Sequence, residues 1–474
     1  MAFSSVIKTA LSIVVLGLLL DACCRGTPLI ADPGFQAGAS TGSTTSVGGS
    51  TGGSSSSTGG AMTSSTTSSG TGTTGGSPAD AGACVPGPAS NLQSEQGYLP
   101  ELGSGHGTTA DLNGDGLLDV IVFSGIADGG NGFYVLLGLP DGGLGSPTYY
   151  PQQVQSLRTP FWQYAPVVAA DLNGDGHPQV LYDLAGSGIQ ILSNDGGRLE
   201  MQAPPIETSS FVAALAAADL NQDGIADIVD GEVTTWEPTS NASDGSDYIV
   251  NIFLGDGDGG FSAAVPVASL SHPFPAIPDS ATLFLSDLNQ DGFPDIVAAA
   301  IGSSQVGVLL HEVDGGYQTT LYSFPETVTA VSLLRKGAAP DLIVAYDHTT
   351  PLGEDGSAVI QILTNAGDGT FSKGPVYALQ NLAWELTVSD FNGDCVPDIA
   401  GGQWDYLQGG QGLSVLFGIA DGGFGAPQSL PIDNGAPGSL TILGPTSRPR
   451  ALVSLTAGDP SSYGVVVYGD ASRP

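Results

Sequence analysis

Five short loops place carboxylate and amide oxygens at a fixed spacing. The first, DLNGDGLLD, spans residues 111–119 and carries Asp or Asn at its positions 1, 3, 5 and 9. Glycine at position 6 permits a sharp turn, so that a main-chain carbonyl at position 7 can join the side-chain oxygens. Calcium takes about six to eight oxygen ligands in a flexible geometry. The spacing therefore predicts that each loop wraps one calcium ion.

The candidate ligands occupy the same five positions in every loop, and the loops are numbered by the repeat unit to which they belong. Loops 1 and 2 offer Asp111, Asn113, Asp115, the carbonyl of Leu117 and Asp119, and then Asp171, Asn173, Asp175, the carbonyl of His177 and Gln179. Loops 3 and 4 offer Asp219, Asn221, Asp223, the carbonyl of Ile225 and Asp227, and then Asp287, Asn289, Asp291, the carbonyl of Phe293 and Asp295. Loop 6 offers Asp390, Asn392, Asp394, the carbonyl of Val396 and Asp398. Ion-free acidic turns are the alternative, but converging carboxylates repel each other unless a cation is present.

Two loops depart from the common pattern. Loop 2 has Gln179 at position 9, where the other loops have Asp, so we expect a lower affinity for calcium. Loop 6 has Cys395 at position 6, where the other loops have glycine, so we expect a strained turn. The complete pattern predicts three calcium sites, in loops 1, 3 and 4, and the two variant loops raise the number to as many as five.

The segments on either side of the loops indicate what positions them. Short apolar runs precede and follow each loop, as in VVAADL and DIVAAA, and a second phrase such as VNIFLGDGDGGF follows after a gap. These runs are typical of β-strands joined by polar turns. Two degenerate copies, one retaining only Asp341 and one at the carboxyl end, bring the number of units to seven, each of roughly fifty residues.

Four strands per unit in radial array make a β-propeller. The last unit ends without its fourth strand, and EQGYLPELG at residues 95–103 resembles the missing phrase. We therefore predict an all-β, seven-bladed propeller of four-stranded blades in which residues near Tyr98 complete the last blade. Such closure removes the unpaired edge that an open sheet presents.

The segment GGFGAP at residues 422–427, together with the Asp loops, resembles the FG-GAP/VCBS repeat family, whose best-known members are the integrin α-subunit propellers. The resemblance covers about four fifths of the chain. It implies calcium sites in the Asp loops on one face of the propeller and ligand binding on the opposite face.

Aromatic residues are concentrated in the long connections assigned to that opposite face. They are Trp162, Tyr164, Trp236, Trp404 and Tyr406. Such rings stack on sugars or anchor protein partners. The alternative is that some of them plug the ring or pack between blades.

The charge balance excludes several classes of partner. The chain has 474 residues, a formal net charge of −37, and a total of 10 Lys and Arg. Nucleic acid and anionic lipid surfaces would repel such a protein. An apolar fraction of 41 % is nevertheless enough to build a folded core.

The amino terminus predicts export. Residues 1–22 carry Lys8 and an apolar run that is too short to span a bilayer. The sequence LDAC then resembles a bacterial lipobox, with Cys23 as the lipidated residue, although Asp21 is unusual at its position. An ordinary cleaved signal peptide is the alternative. We expect an outer-membrane or cell-surface lipoprotein, or otherwise a secreted protein, with a disordered Ser/Thr/Gly-rich tether at 23–83 and the propeller at 84–474.

Two cysteines lie in the predicted propeller. In an oxidising compartment Cys84 and Cys395 can form a disulfide. The predicted closing strand would bring Cys84 to the seventh blade, next to the sixth blade, which contains Cys395. Two free thiols are the alternative.

No catalytic motif stands out in the sequence. GDGDGG at residues 255–260 matches a phosphate-binding pattern by its glycines, but it precedes a strand and carries two aspartates, so it is a turn. The principal hypothesis is a calcium-binding propeller that binds a glycan or a protein at the cell surface. An enzyme acting on polysaccharide and a purely structural surface protein are the alternatives.

Overall fold

The structure is a computed structural model that describes part of the 474-residue chain. The described residues are 30–31, 66–68, 92–98 and 107–470, and the last range excludes 127–129, 141–142, 152–165, 185–187, 234–245, 273–280, 301, 336–338, 348–357, 380–381, 393, 405–410, 421, 432–435, 444–449 and 457–463. Among these residues, no helix has the length and apolar character needed to cross a membrane.

The chain is an all-β propeller of four-stranded antiparallel blades. Blades 1 and 2 comprise β4 (Gly107–Ala110), β5 (Asp119–Ile126), β6 (Gly130–Leu136) and β7 (Thr148–Pro151), and then β8 (Val167–Ala170), β9 (Gln179–Asp183), β10 (Ile189–Asp195) and β11 (Arg198–Ile206). Blades 3 and 4 comprise β12 (Phe211–Ala218), β13 (Asp227–Val233), β14 (Ser246–Phe253) and β15 (Val265–His272), and then β16 (Ala281–Ser286), β17 (Asp295–Ala300), β18 (Gln305–His311) and β19 (Tyr317–Ser323). Blades 5 and 6 comprise β20 (Val328–Leu334), β21 (Asp341–Asp347), β22 (Ala358–Asn365) and β23 (Phe371–Leu379), and then β24 (Leu382–Ser389), β25 (Asp398–Trp404), β26 (Gln411–Leu416) and β27 (Gln428–Pro431).

Six sheets, rather than the predicted seven, are thus built from four strands that follow one another in the chain. A further sheet is composite and contains β28 (Ala436–Leu443), β29 (Arg450–Thr456), β30 (Gly464–Asp470) and the distant β3 (Leu92–Tyr98). β3 pairs antiparallel with β30, with Tyr98 opposite Val465, which agrees with the predicted role of the segment near Tyr98. The physical reason for the difference is that the carboxyl-terminal unit has three strands of its own.

Two short strands lie in the segment predicted to be a disordered tether. β1 (Ile30–Ala31) pairs parallel with β16, and β2 (Thr66–Ser68) pairs antiparallel with β8. The other residues of the predicted tether, and the whole predicted signal segment with Cys23, lie outside the described residues.

Burial is graded across each blade from its first strand to its fourth. Every residue of β8, β16 and β20 is buried, whereas β19 is mostly exposed. The first strands of neighbouring blades contact each other, as β12 contacts both β8 and β16. Small side chains suit this crowded position, and β12 reads FVAALAAA. The apolar runs before the Asp loops are therefore the innermost strands.

The Asp loops join the first and second strands of their blades. In loops 1, 3, 4 and 6 the Asp at position 9 is the first residue of the second strand, as Asp119 is of β5. The third strand ends beside this point, so each loop is held between three strand ends.

Candidate metal centres

The position-9 aspartates fasten each loop to its blade. Both oxygens of Asp119 accept backbone N–H groups: Oδ2 from Leu112 at 3.0 Å and Oδ1 from Gly138, after the third strand, at 2.8 Å. The side chain is fully buried. The matching bonds recur in loops 3, 4 and 6 with Asp227, Asp295 and Asp398.

Hydrogen bonds within the loop stabilise the turn. The side chains at positions 1, 3 and 5 accept backbone N–H groups of the same loop. In loop 1, Oδ1 and Oδ2 of Asp111 accept the N–H groups of Asp115 and Gly116 at 3.0 and 2.8 Å. Oδ1 of Asn113 accepts the N–H of Asp115 at 3.0 Å, and Oδ1 of Asp115 accepts that of Leu117 at 2.9 Å. Loops 2, 3, 4 and 6 repeat this pattern. The predicted ligands of each loop are therefore gathered in one turn.

Two positions of the loop adopt the left-handed backbone conformation. Position 6 has a φ of 85° at Gly116 and 72° at Cys395, so the cysteine takes a conformation that favours glycine, as the sequence predicted. Position 4 is also left-handed, with a φ of 60° at Gln222 and 63° at Gln290. Position 4 is glycine in loops 1 and 2, with a φ of 72° at Gly114 and 71° at Gly174. This shared conformation was not predicted, because glutamine at position 4 of loops 3 and 4 gives no signal of a positive φ.

The buried carboxylates lie close to other negative charges. The pKa of Asp119 is raised to about 6, mainly by burial and also by the charges of Asp115 and Asp111, while two backbone N–H groups act to lower it. Burial raises the pKa of Asp227, Asp295 and Asp398 to about 7 in the same surroundings. No basic side chain of the described residues is among the causes of these shifts. A buried carboxylate without a positive partner is costly when it is ionised.

The donor set of the loops fits a hard divalent cation. Within the described ranges, no three His, Cys, Asp or Glu side chains form a metal centre by themselves. Each loop, however, also offers an amide oxygen at position 3 and a main-chain carbonyl at position 7, and calcium accepts both. In loops 1, 3, 4 and 6 the position-9 carboxylate accepts two N–H groups, which favour its ionised form, whereas burial and the neighbouring aspartates oppose ionisation. A bound cation would supply the positive charge that the ionised form lacks.

Part of this arrangement has known relatives. Residues 111–182, which contain loops 1 and 2 with the strands on either side, match the FG-GAP-like repeat. The chain carries an FG-GAP repeat. The sequence-based recognition of an FG-GAP repeat is thereby confirmed for these residues.

Two solved structures match the chain at low sequence identity. One is the crystal structure of BBS1N in complex with ARL6DN, soaked with mercury, with a TM-score of 0.46 and 12 % identity over 81 % of this chain and 96 % of that chain. Another is an Agrocybe aegerita lectin that recognises non-reducing terminal N-acetylglucosamine, with a TM-score of 0.44 and 19 % identity over 70 % of this chain and 81 % of that chain. No curated protein sequence matches the chain.

The degenerate fifth unit retains one part of the loop. Oδ1 of Asp341, the first residue of β21, accepts the backbone N–H of Asn365 at 2.8 Å. This bond is the counterpart of that between Asp119 and Gly138. The position-9 aspartate therefore has a structural role even where the other calcium ligands are missing.

Side chains from neighbouring blades brace the loops. Nδ2 of Asn194, at the end of β10, donates to the carbonyl of Leu112 at 2.9 Å, and Nδ2 of Asn365 donates to that of Leu288 at 2.9 Å. Nε2 of Gln222 in loop 3 donates to the carbonyl of Gly292 in loop 4 at 2.8 Å. Sequence reasoning missed these residues. Asn194 and Asn365 occupy the same position of units 2 and 5, where other units have glycine or histidine, but the residue type does not show that the side chain reaches a neighbouring loop.

Cys395 is disulfide-bonded. Its predicted partner, Cys84, lies outside the described residues.

We expect non-reducing peptide mapping of the purified chain to recover one linked pair that contains Cys84 and Cys395. Reduction is expected to destabilise the fold by roughly 2–4 kcal/mol, since the bond closes a very long loop. A linked pair that contains Cys24 instead of Cys84 contradicts the assignment, and the Cys84→Ser variant is the control for the stability change.

The aromatic residues predicted for the opposite face fall mostly outside the described part of the chain. Trp162, Tyr164, Trp236 and Tyr406 are among the residues that the structure does not describe. Trp404 ends β25, where its backbone pairs with Leu382 and Gln411.

A pair of buried acids lies in blade 3 away from loop 3. Asp230 and Glu232 of β13 are buried, and Nδ2 of Asn251 donates to Oδ1 of Asp230 at 2.8 Å. The backbone N–H of Ser209 donates to Oε1 of Glu232 at 3.2 Å. Burial and the neighbouring Glu232 raise the pKa of Asp230 well above its ordinary value, and Asp183 of blade 2 adds to the rise.

This acid pair predicts a pH dependence of folding stability. Because the pKa of Asp230 is higher in the folded chain, stability is greatest at low pH and is lost as the pH rises above the ordinary carboxyl value of about 4 towards the folded value. We expect Asp230→Asn to raise the thermal midpoint at about pH 8 relative to wild type and to flatten its decline from about pH 5. Melts in saturating calcium test this, with the exposed Asp195→Asn as control. Parallel pH profiles for wild type and Asp230→Asn contradict the prediction.

Proposed function

We propose that the chain is an extracellular recognition protein: a calcium-stabilised propeller, held at the cell surface by a lipid on Cys23, that binds a glycan or a protein ligand. One observation carries the calcium part of the proposal. The same hydrogen-bonded turn recurs in loops 1, 3, 4 and 6 around a buried carboxylate that has no basic partner among the described residues.

Calcium is held in these loops by the side chains at positions 1, 3, 5 and 9 and by the carbonyl at position 7. In loop 3 these are Asp219, Asn221, Asp223, Asp227 and the carbonyl of Ile225. The ion supplies the positive charge that the buried carboxylates need. Its role is structural, because each loop joins two strands of one blade and contacts the end of a third.

The composite sheet serves as a seventh blade that closes the ring. Its strand β28 contacts β24 of blade 6 on one side and β4 of blade 1 on the other. The pairing of β3 with β30 supplies the fourth strand from a segment that precedes blade 1 in the chain. Such closure resists opening, because separating the ends requires the composite sheet to come apart.

Recognition is assigned to the face opposite the calcium loops. At the strand ends away from the calcium loops, the second strand of each blade is followed by the third, and the fourth strand by the first strand of the next blade. Long sequence segments such as 152–165 and 234–245 fall between these strands and lie outside the described residues. Long connections on a rigid scaffold are where binding residues concentrate. The predicted aromatic residues of these connections provide stacking surfaces for sugars or anchors for a protein. The strongly negative charge favours neutral glycans or basic protein surfaces as partners.

A binding panel in two ionic conditions tests the proposal. The purified chain is applied to arrays of glycans and extracellular matrix proteins, once in millimolar calcium and once in chelator, and its folding in calcium is verified by circular dichroism. We expect binding in calcium that is lost in chelator. Replacing Trp236 and Trp404 with alanine should abolish binding without changing the thermal midpoint in calcium. A folded chain that binds nothing on the panel contradicts the recognition role, and identical melting in the two conditions contradicts the calcium role.

A further inference from the structure

Loop 2 has the backbone of a calcium loop but differs at one buried side chain. Gln179, the first residue of β9, is 3 % exposed and replaces the position-9 aspartate of the other loops. Its Oε1 accepts the backbone N–H of Leu172 at 2.6 Å. This bond corresponds to that between Oδ2 of Asp119 and the N–H of Leu112 in loop 1.

The other end of the Gln179 amide points into the loop. Its Nε2 lies 2.7 Å from the carbonyl oxygen of His177 and 3.2 Å from Oδ1 of Asn173, and it donates to both. These two oxygens are the position-7 and position-3 ligands in the calcium pattern. The two hydrogens of the amide therefore occupy the lone pairs that would otherwise face an ion.

The amide cannot simply be reversed. If Gln179 were flipped to present Oε1 to an ion, its Nε2 would face the N–H of Leu172, which places two donors against each other in a buried position. An aspartate has no such conflict, because both its oxygens accept. Asp119 uses one oxygen for Leu112 and keeps lone pairs on the other beyond the one given to Gly138.

We propose that loop 2 is a metal-independent copy of the calcium loop, in which the carboxamide of Gln179 takes the place of the ion. The inference rests on the proposed function, since it assumes that the other loops bind calcium. It sharpens the lower affinity expected from the sequence into an absence of binding. Hydrogen bonds of the Gln179 amide then hold the loop of blade 2 together without an ion. Loop 2 also carries one negative charge fewer than loop 1.

A reciprocal exchange at position 9 tests the inference. Calcium stoichiometry is measured by equilibrium dialysis on wild type, Gln179→Asp and Asp119→Gln. We expect Gln179→Asp to bind one calcium more than wild type and Asp119→Gln to bind one fewer. The thermal midpoint of Gln179→Asp should become more sensitive to chelator than that of wild type. Equal stoichiometry for wild type and Gln179→Asp overturns the inference.

Hydrogen exchange provides a second measurement that needs no variant. Wild-type peptides that cover 171–183 should show the same protection in calcium and in chelator, whereas peptides that cover 111–122 should lose protection in chelator. Loss of protection in both regions overturns the inference and leaves the proposed calcium role intact. A wild-type chain that binds no calcium overturns the proposed function, and the inference falls with it.

Discussion

Removal of calcium is expected to lower the thermal midpoint of unfolding by on the order of 10 °C. Extracellular calcium modules bind with dissociation constants of about 10⁻⁴ M or weaker, so millimolar calcium contributes about 1.4 kcal/mol per site at the tighter limit. Loops 1, 3, 4 and 6 together then contribute about 6 kcal/mol. This is a large share of an ordinary folding stability of about 5–15 kcal/mol. Differential scanning calorimetry of the chain in calcium and in chelator measures the shift.

Magnesium is the matched control for this result. It demands a smaller octahedral set of oxygens and releases its water reluctantly, so the same concentration of magnesium should leave the midpoint near its value in chelator. Adding calcium back should restore it. Equal midpoints in calcium, magnesium and chelator would mean that the buried carboxylates are accommodated by protonation alone.

The repeat of apolar runs and polar loops was sufficient to predict a propeller of four-stranded blades, but not the number of blades built from consecutive strands. Strands such as VVAA of β8 run directly into an Asp loop, so the end of the strand is marked by the local sequence. The sequence also predicted that the segment near Tyr98 pairs with the last unit, because that unit lacks one strand. The sequence did not predict the contacts between blades. The bonds of Asn194 and Gln222 to carbonyls of neighbouring loops depend on the rotation of one blade against the next, which no local pattern encodes.

The candidate site shows the same division between local and non-local information. Positions 1, 3 and 5 act within one turn, and their spacing alone predicted that they converge. Position 9 also bonds to the end of the third strand, 19 residues away in the case of Asp119 and Gly138, so its structural role required the fold. The orientation of the Gln179 amide likewise depends on which end meets the N–H of Leu172, and the sequence does not distinguish the two ends.

Replacing Asp227 with asparagine is expected to destabilise the chain by about 3 kcal/mol in calcium. Both oxygens of Asp227 accept backbone N–H groups, from Leu220 and Gly255, each at 2.9 Å. The asparagine NH₂ group must face one of these donors, which costs a charge-assisted hydrogen bond, and the loop also loses a carboxylate ligand for the ion. Chemical denaturation in calcium and in chelator measures both effects. The loss should be smaller by about 1.4 kcal/mol in chelator, where the ion contributes nothing.

Asp341→Asn separates the two effects. Asp341 makes the same bond to the end of the third strand, through the N–H of Asn365 at 2.8 Å, but its unit has none of the other calcium ligands. Its replacement should therefore cost the same free energy in calcium and in chelator. If Asp227→Asn behaves like Asp341→Asn, the position-9 carboxylates are structural fasteners and not ligands. If only the first variant responds to calcium, the carboxylate serves both purposes, and its burial beside like charges is explained by the ion that it helps to hold.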